Sequence, residues 1–331
     1  MLRLNVVELY AGVGRCSAPF RSWRKARVAL LSDWSKHALD TYVHNHPGAP
    51  YVRKDLATVS PADIESAVGG RIDVILGCPP CQGFSESGRR DPADKRNDHV
   101  THFLRTAIGT RPLAIAMENV PLAALSRQFG NGTGMLERAG YRWTAGILNA
   151  ASYGSTQTRQ RLVLVALRGD LGIDPELPAP THAPGGRYFD YVSQSLVRVN
   201  GDDDLLMGIT GTTQRARSTL TPRLGTAPRP RATPVLEEVL DNLPRCGTTD
   251  AEKLTHAPWR HSDAMLRRMG AVREGGRLKT VRRYYASAYG RLHRRGLVRT
   301  LTTYFSNAGS GRYWHPTENR ALTLREAARI Q

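Results

Sequence analysis

Short apolar runs recur along the first half of the chain, separated by stretches whose apolar residues fall at helical spacing. The runs at 5–9, 27–31, 73–76, 113–117, 144–148 and 161–167 have the length and composition of strands. Between them, Ala38, Tyr42 and Val43, and later Phe103, Leu104 and Ile108, mark one face of a helix. Continuous apolar runs, as opposed to alternating ones, belong to strands buried on both faces. Strands alternating with helices predict an α/β fold on a doubly wound parallel sheet. From about residue 168 the pattern becomes irregular and Pro, Gly, Thr and Arg rise. Two helices stand out there. One starts at Thr233-Pro234 and runs to about Leu243; the other has Ser262 as N-cap and runs through Met265, Leu266 and Met269 to Gly270. Pro222, Pro228, Pro230 and Pro234 make 221–234 an extended or turn-rich connector.

Length and charge narrow the picture. A chain of 331 residues has room for a full core and two domains. Its formal net charge of +18 favours a polyanionic partner. A solvated Arg-rich surface is the plainer reading, since 41 of the 47 basic residues are Arg. The distribution favours nucleic acid: residues 215–300 hold 19 Lys or Arg against seven Asp or Glu. Arg is also the side chain suited to bidentate contacts with phosphate and guanine.

The four cysteines, Cys16, Cys78, Cys81 and Cys246, are too few and too scattered for a disulfide framework. No leader precedes the first apolar run and no run reaches membrane length, so a cytosolic, reduced protein is expected.

Glu8-Leu9-Tyr10-Ala11-Gly12-Val13-Gly14 stands where the first strand turns into the first helix. It is not the dinucleotide fingerprint, because the third glycine position is Ser17, and this favours a ligand without a pyrophosphate. Asp33 follows the second strand, 21 residues after Gly12, where an acid suits a ribose diol. Trp34 is placed to stack on an adenine, and Asp55, after a third strand, to accept from its amine. Each also has a plain reading: the acids as helix caps or turns, the Trp as core. Pro79-Pro80-Cys81-Gln82-Gly83-Phe84-Ser85 follows the 73–76 run, so Pro and Gly hold a thiol on a short loop at a strand's carboxyl end. A buried structural thiol is one alternative there. A redox or zinc pair with Cys78 is another, but no second Cys or His pair stands at metal spacing, so no metal is expected.

These motifs resemble the cytosine-C5 methyltransferases, bacterial type. The nucleophile loop around Cys81 is the most specific match. Met117-Glu118-Asn119-Val120 resembles the family's Glu-Asn-Val motif, and Gln157-Thr158-Arg159-Gln160-Arg161 its Gln-x-Arg-x-Arg motif. Tyr289-Gly290-Arg291-Leu292, His315-Pro316, Leu322-Thr323 and Arg325-Glu326-Ala327-Ala328-Arg329 resemble its late region. The resemblance implies a Rossmann-like sheet that binds S-adenosyl-L-methionine, with Tyr10, Gly12, Gly14, Asp33, Trp34, Asp55 and Pro79 around the cofactor. It implies Cys81 as nucleophile toward carbon 6 of cytosine, Glu118 at ring nitrogen 3, and Arg159 and Arg161 fixing a flipped base and the nucleophile loop. The implied division is a catalytic domain, 1–167 with 301–331, and a smaller basic target-recognition domain, 168–300, that reads double-stranded DNA. Methylation of tRNA cytosine by the same chemistry and a DNA-binding protein with an incomplete active site are the alternatives.

The chain departs from the family in three places. Arg15 replaces a glycine of the first loop. Arg96-Asn97 resembles a motif near the cofactor, but His99 stands where the family has an apolar residue. Thr323-Leu324-Arg325-Glu326 is a capping box only eight residues before Gln331. The family's last cofactor-closing motif is not seen. The expectation is therefore a C-terminal helix that frays for want of length and a packing partner, marginal folding, and a continuation or second chain that supplies the rest.

Overall fold

The computed structural model describes residues 3–80, 95–183, 187–190, 195–198, 220, 223–225, 230–253, 255–278 and 288–331. By packing, the chain divides into two compact units: 1–148 with 161–179 and 209–226, and 149–160 with 180–208 and 227–331. The expected division placed 301–331 with the first domain; in packing, these residues belong to the second unit.

The first unit is built on a seven-stranded sheet. Its strands are β1 (Leu4–Leu9), β2 (Ala26–Asp33), β3 (Tyr51–Arg53), β4 (Val74–Gly77), β5 (Ala114–Asn119), β6 (Tyr141–Asn149) and β8 (Gln160–Arg168), in the order β3-β2-β1-β4-β5-β8-β6. The strands from β3 to β5 pair in parallel. The wholly parallel sheet expected is not what forms: β8 runs antiparallel to β5, with Glu118 opposite Val163 and Asn119 opposite Leu162. Periodicity reports burial and not direction, which is why the reversal was not foreseen. Val6, Val7 and Leu9 of β1 and Leu30 and Leu31 of β2 are buried, as central strands of a covered sheet should be.

The helices follow from local signals. The helix α1 (Ala18–Ser22) is short. Ser35 caps α2 (Lys36–Asn45), accepting from the Ala38 amide at 3.3 Å. Ser60 and Asp63 form a capping box on α3 (Pro61–Val68), and Gly69 closes it at φ 64°. The helix α4 (His99–Gly109) buries Val100, Phe103, Leu104 and Ala107, and α5 (Arg127–Arg138) buries Phe129 and Leu136. Gly77 at the end of β4 admits this packing, since a Cβ there would lie 2.2 Å from the Phe103 ring. The order of connection reverses between β1 and β4. The carboxyl ends of these two strands therefore flank the crevice where open α/β sheets place their ligands.

In the second unit, β7 (Gln157–Thr158) pairs with Val298–Arg299. A core of Leu236, Leu292, Val298, Leu301, Tyr313 and Leu322 also takes in Ala327 and Ile330. The helix Asp263–Gly270 has Ser262 as its cap, as the sequence predicts. The helix expected over 233–243 is shorter, Leu236–Leu240, because the Thr233 hydroxyl donates to the Ala151 carbonyl and Asn242 turns the chain at φ 61°. Of the 221–234 connector, 221–222 and 226–229 lie outside the described residues.

The C-terminal helix has the packing partner that its length alone does not reveal. Leu324–Ile330 carries the capping box expected, with the Glu326 amide donating to the Thr323 hydroxyl and the Thr323 amide to the Glu326 carboxylate. Its face is buried against the second core, so packing supplies what an isolated helix of this length lacks.

Candidate active site

The first loop is held by two buried carboxylates. Asp33, at the end of β2, accepts from the Gly12 amide at 2.8 Å through Oδ2 and from the Ser35 amide at 2.8 Å through Oδ1. Glu8, on β1, accepts from the Cys16 amide at 3.2 Å and the Ser17 amide at 2.9 Å. Burial raises the Glu8 pKa, although these hydrogen bonds oppose the shift. The amides that a dinucleotide fold would turn toward a pyrophosphate are therefore already engaged by protein oxygens. Tyr10 and Gly12 both have positive φ, 54° and 56°. For an aromatic residue that is a strained conformation, of the kind that collects at ligand sites. A Cβ on Gly12 would meet nothing within 4 Å, whereas one on Gly14 would strike Tyr42 at 2.8 Å and Leu31 at 2.9 Å. Gly12 thus leaves room beside the loop, and Gly14 lets the loop pack on α2 and β2. Arg15, which replaces a family glycine, is exposed.

Trp34 and Asp55, also singled out from the sequence, follow β2 and β3. Trp34 is 74% exposed, so its ring is not core; its carbonyl accepts from Arg53 Nε at 3.3 Å. Asp55 is exposed, and its Oδ1 accepts from the Ala57 amide at 3.0 Å. Burial chiefly, with the Asp55 charge adding to it, raises the Tyr10 pKa well above its usual value, so the phenol stays protonated. The Tyr10 hydroxyl shares a 2.9 Å hydrogen bond with His99 Nδ1, and the two rings meet edge to face. The polar residue at 99 thus has a polar partner at 10.

Glu118 and Asn119 end β5. Arg161 Nε lies 2.7 Å from Glu118 Oε1, across the antiparallel pair of strands. Asn119, 1% exposed, donates from Nδ2 to the Pro79 carbonyl at 3.3 Å and accepts from the Val120 amide at 2.8 Å. It tethers the chain two residues before Cys81. Cys81 itself lies outside the described residues. Arg159 belongs to the second unit, where it follows β7 and its carbonyl accepts from the Ala150 amide at 2.9 Å. The first unit therefore brings together Tyr10, Gly12, Asp33 and Asp55 as one group, and Glu118, Arg161, Asn119 and Pro79 as another. The bracing role of Glu8, on amides eight and nine positions on, and the pairings of His99 with Tyr10 and of Asn119 with Pro79, 89 and 40 positions apart, are what sequence reasoning did not reveal. Among the described residues no cluster of His, Cys, Asp or Glu is arranged to hold a metal, and no helix is long and apolar enough to cross a membrane.

Comparison with known proteins identifies the family of the chain. The family model of C-5 cytosine-specific DNA methylases matches residues 4–331. The type II methyltransferase M.DdeI of Desulfomicrobium norvegicum is 28% identical over 99% of this chain and 78% of its own length. The type II methyltransferase M1.HphI of Haemophilus parahaemolyticus is 27% identical over 100% of this chain and 77% of its own. In fold, the chain resembles a putative DNA modification methyltransferase encoded within an E. coli prophage, with a TM-score of 0.61 at 22% identity over 99% of this chain and 88% of that one. Both relatives are type II methyltransferases by name, and the matching model is one of DNA methylases, so the tRNA alternative is not favoured. With the match running through both compact units, the chain belongs to the C-5 cytosine-specific DNA methylases, the enzymes that methylate carbon 5 of cytosine in DNA.

Proposed function

We propose that the chain transfers a methyl group from S-adenosyl-L-methionine to carbon 5 of a flipped cytosine in double-stranded DNA, through a covalent adduct on Cys81. The observation that carries this reading is the pairing of Glu118 with Arg161 at 2.7 Å, beside an Asn119 that tethers Pro79. A carboxyl group held in orientation at a strand's carboxyl end, next to the anchored approach to a thiol, is what addition to a cytosine ring requires.

The residues of the first loop fit the cofactor. Gly12 leaves space, Trp34 offers an open ring face, and the Asp33 carboxylate keeps acceptor capacity on each oxygen beyond the single bond it makes there. Tyr10, Gly12, Gly14, Asp33, Trp34, Asp55 and Pro79 would hold it, and when bound it supplies an electrophilic methyl group. The chain supplies the rest. The Cys81 thiolate adds to carbon 6 and so makes carbon 5 nucleophilic. Glu118 hydrogen-bonds and protonates ring nitrogen 3, relieving the charge that addition builds. Arg161 fixes the Glu118 carboxyl group, and Arg159 holds the base. Flipping the base costs a few kcal/mol, which phosphate contacts from the basic 168–300 segment offset.

The test is DNA carrying 5-fluorocytosine at the target cytosine. Carbon 5 then holds no removable proton, so the adduct persists. Wild-type protein should be trapped covalently and Cys81→Ser should not, while retaining DNA binding. Trapping that survives in Cys81→Ser or maps to Cys78 overturns the assignment.

A further inference from the structure

Cys16 and Cys78 are 62 positions apart in the sequence, yet their sulfurs lie 3.1 Å apart. Neither belongs to the machinery proposed above. Cys16 follows the first loop, and its backbone is pinned by Glu8. Cys78 directly follows Gly77, which pairs with Leu9 at the end of the neighbouring strand. The two thiols therefore bridge the carboxyl ends of β1 and β4, one beside the cofactor loop and the other three residues before Cys81. Both are free, and Cys16 is exposed. A bonded pair of sulfurs sits at about 2.05 Å, so closure needs a relative movement of only about 1 Å.

We propose that Cys16 and Cys78 are an oxidisable dithiol that a peroxide closes to a disulfide, turning methyl transfer off reversibly. The loss of activity rests on the function proposed above; formation of the disulfide does not. The two thiols have different parts to play. The hydrogen bond to Cys16, burial and the carboxylates of Glu118 and Glu8 push the Cys78 thiol up, which keeps it protonated. The exposed Cys16 is then the sulfur that meets peroxide. Its sulfur attacks one peroxide oxygen, the O–O bond breaks, and the departing hydroxide takes up the proton of the thiol, leaving a sulfenic acid and water. Cys78 sulfur next attacks the Cys16 sulfur, giving its proton to the departing hydroxide as the S–O bond breaks. Overall, two thiols and one peroxide give one disulfide and two waters, with the sulfurs oxidised by two electrons and the peroxide reduced by two.

Closure ties Cys16, beside the glycine loop, to Cys78, beside Pro79 and Pro80. Asp33 and Glu8 hold the backbone of Gly12 and Cys16, and two prolines follow Cys78, so both flanking segments resist the shift.

The experiment exposes the full chain to graded hydrogen peroxide, then maps its peptides by mass spectrometry without reduction and measures methylation before and after dithiothreitol. A Cys16–Cys78 cross-link, lighter than the sum of its peptides by two hydrogens, should rise as activity falls, and both should reverse with dithiothreitol. At the same dose Cys16→Ser and Cys78→Ser should form no such link and keep their activity. A link between Cys78 and Cys81, or none at doses that inactivate the wild type, overturns the proposal; so does loss of activity by Cys16→Ser at the wild-type dose. The map reads the disulfide whether or not methyl transfer occurs. A linked but never active protein would therefore fail the proposed function and leave the dithiol standing.

Discussion

The Gly12 amide donates to Asp33 at 2.8 Å, so the acid proposed to meet a ribose is also the brace of the loop that would face the methyl donor. Its other oxygen accepts from Ser35 at the start of α2. Asp33→Asn turns an amide donor toward one of two part-buried backbone donors and leaves that N–H without its acceptor, at a cost of about 1 kcal/mol. It should lower both urea stability and cofactor affinity. Trp34 next to it is exposed, so Trp34→Ala should change stability by no more than about 0.5 kcal/mol while lowering cofactor affinity. Urea titration and calorimetric titration of the two variants separate brace from platform. Loss of stability in Trp34→Ala would contradict this division.

The Glu118–Arg161 pair predicts a split in kinetics. Glu118→Gln keeps a hydrogen-bonding group but no transferable proton, and should slow single-turnover methylation by about 10²–10⁴-fold with little change in cofactor affinity. Arg161→Lys keeps the charge but loses the planar fork that fixes the carboxyl group, and should fall between wild type and Glu118→Gln. Rapid-quench measurement of the methylated product checks both. A defect confined to cofactor binding would place Glu118 in the wrong role.

Tyr10 and His99 should behave as a unit. Tyr10→Phe leaves the His99 ring nitrogen without its phenol, and His99→Leu leaves the phenol without its ring. Each single change should weaken cofactor binding, and the double change Tyr10→Phe with His99→Leu should recover part of the loss. A coupling of about 1 kcal/mol is the expected size for one such hydrogen bond. Additive losses would mean that the contact contributes nothing.

Much of the sheet was legible because its strands are short, apolar and buried on both faces. The three-residue β3 was inferred only as the strand before Asp55, since so short a run carries no pattern. The residues of the site were legible through local spacing: Gly12 at the first turn, Asp33 after β2, Glu118 after an apolar run. Their partners were not. His99 lies 89 positions from Tyr10, and Asn119 lies 40 from Pro79. Such pairings exist only once the sheet has brought its strand ends together. The packing of the C-terminal helix was hidden for the same reason, since its length was visible and its partners were not.

That helix supplies the last prediction. Arg320 donates to both oxygens of Glu326 at 2.8 Å, and the side chains are 7% and 3% exposed. Burial alone would raise the Glu326 pKa, but the Arg320 hydrogen bonds and charge overcome it and hold the carboxyl group below its usual range. A carboxylate whose pKa is lower folded than unfolded stabilises the fold fully above its unfolded value, near 4.5. The contribution drains away as the pH falls from there through the lower folded value. Glu326→Gln removes the more buried of two carboxylates on Arg320, with Glu318 remaining 2.9 Å from its Nε, so the cost should stay below the roughly 3–5 kcal/mol of a buried charge left wholly unpaired. It should also remove this part of the acid sensitivity, so that the wild-type and variant stabilities draw together as the pH falls below 4.5. Urea unfolding followed by tryptophan fluorescence across that range measures the convergence. A constant gap between the two proteins, down to the lowest pH at which both fold, would show that the pair does not carry the pH dependence of this unit.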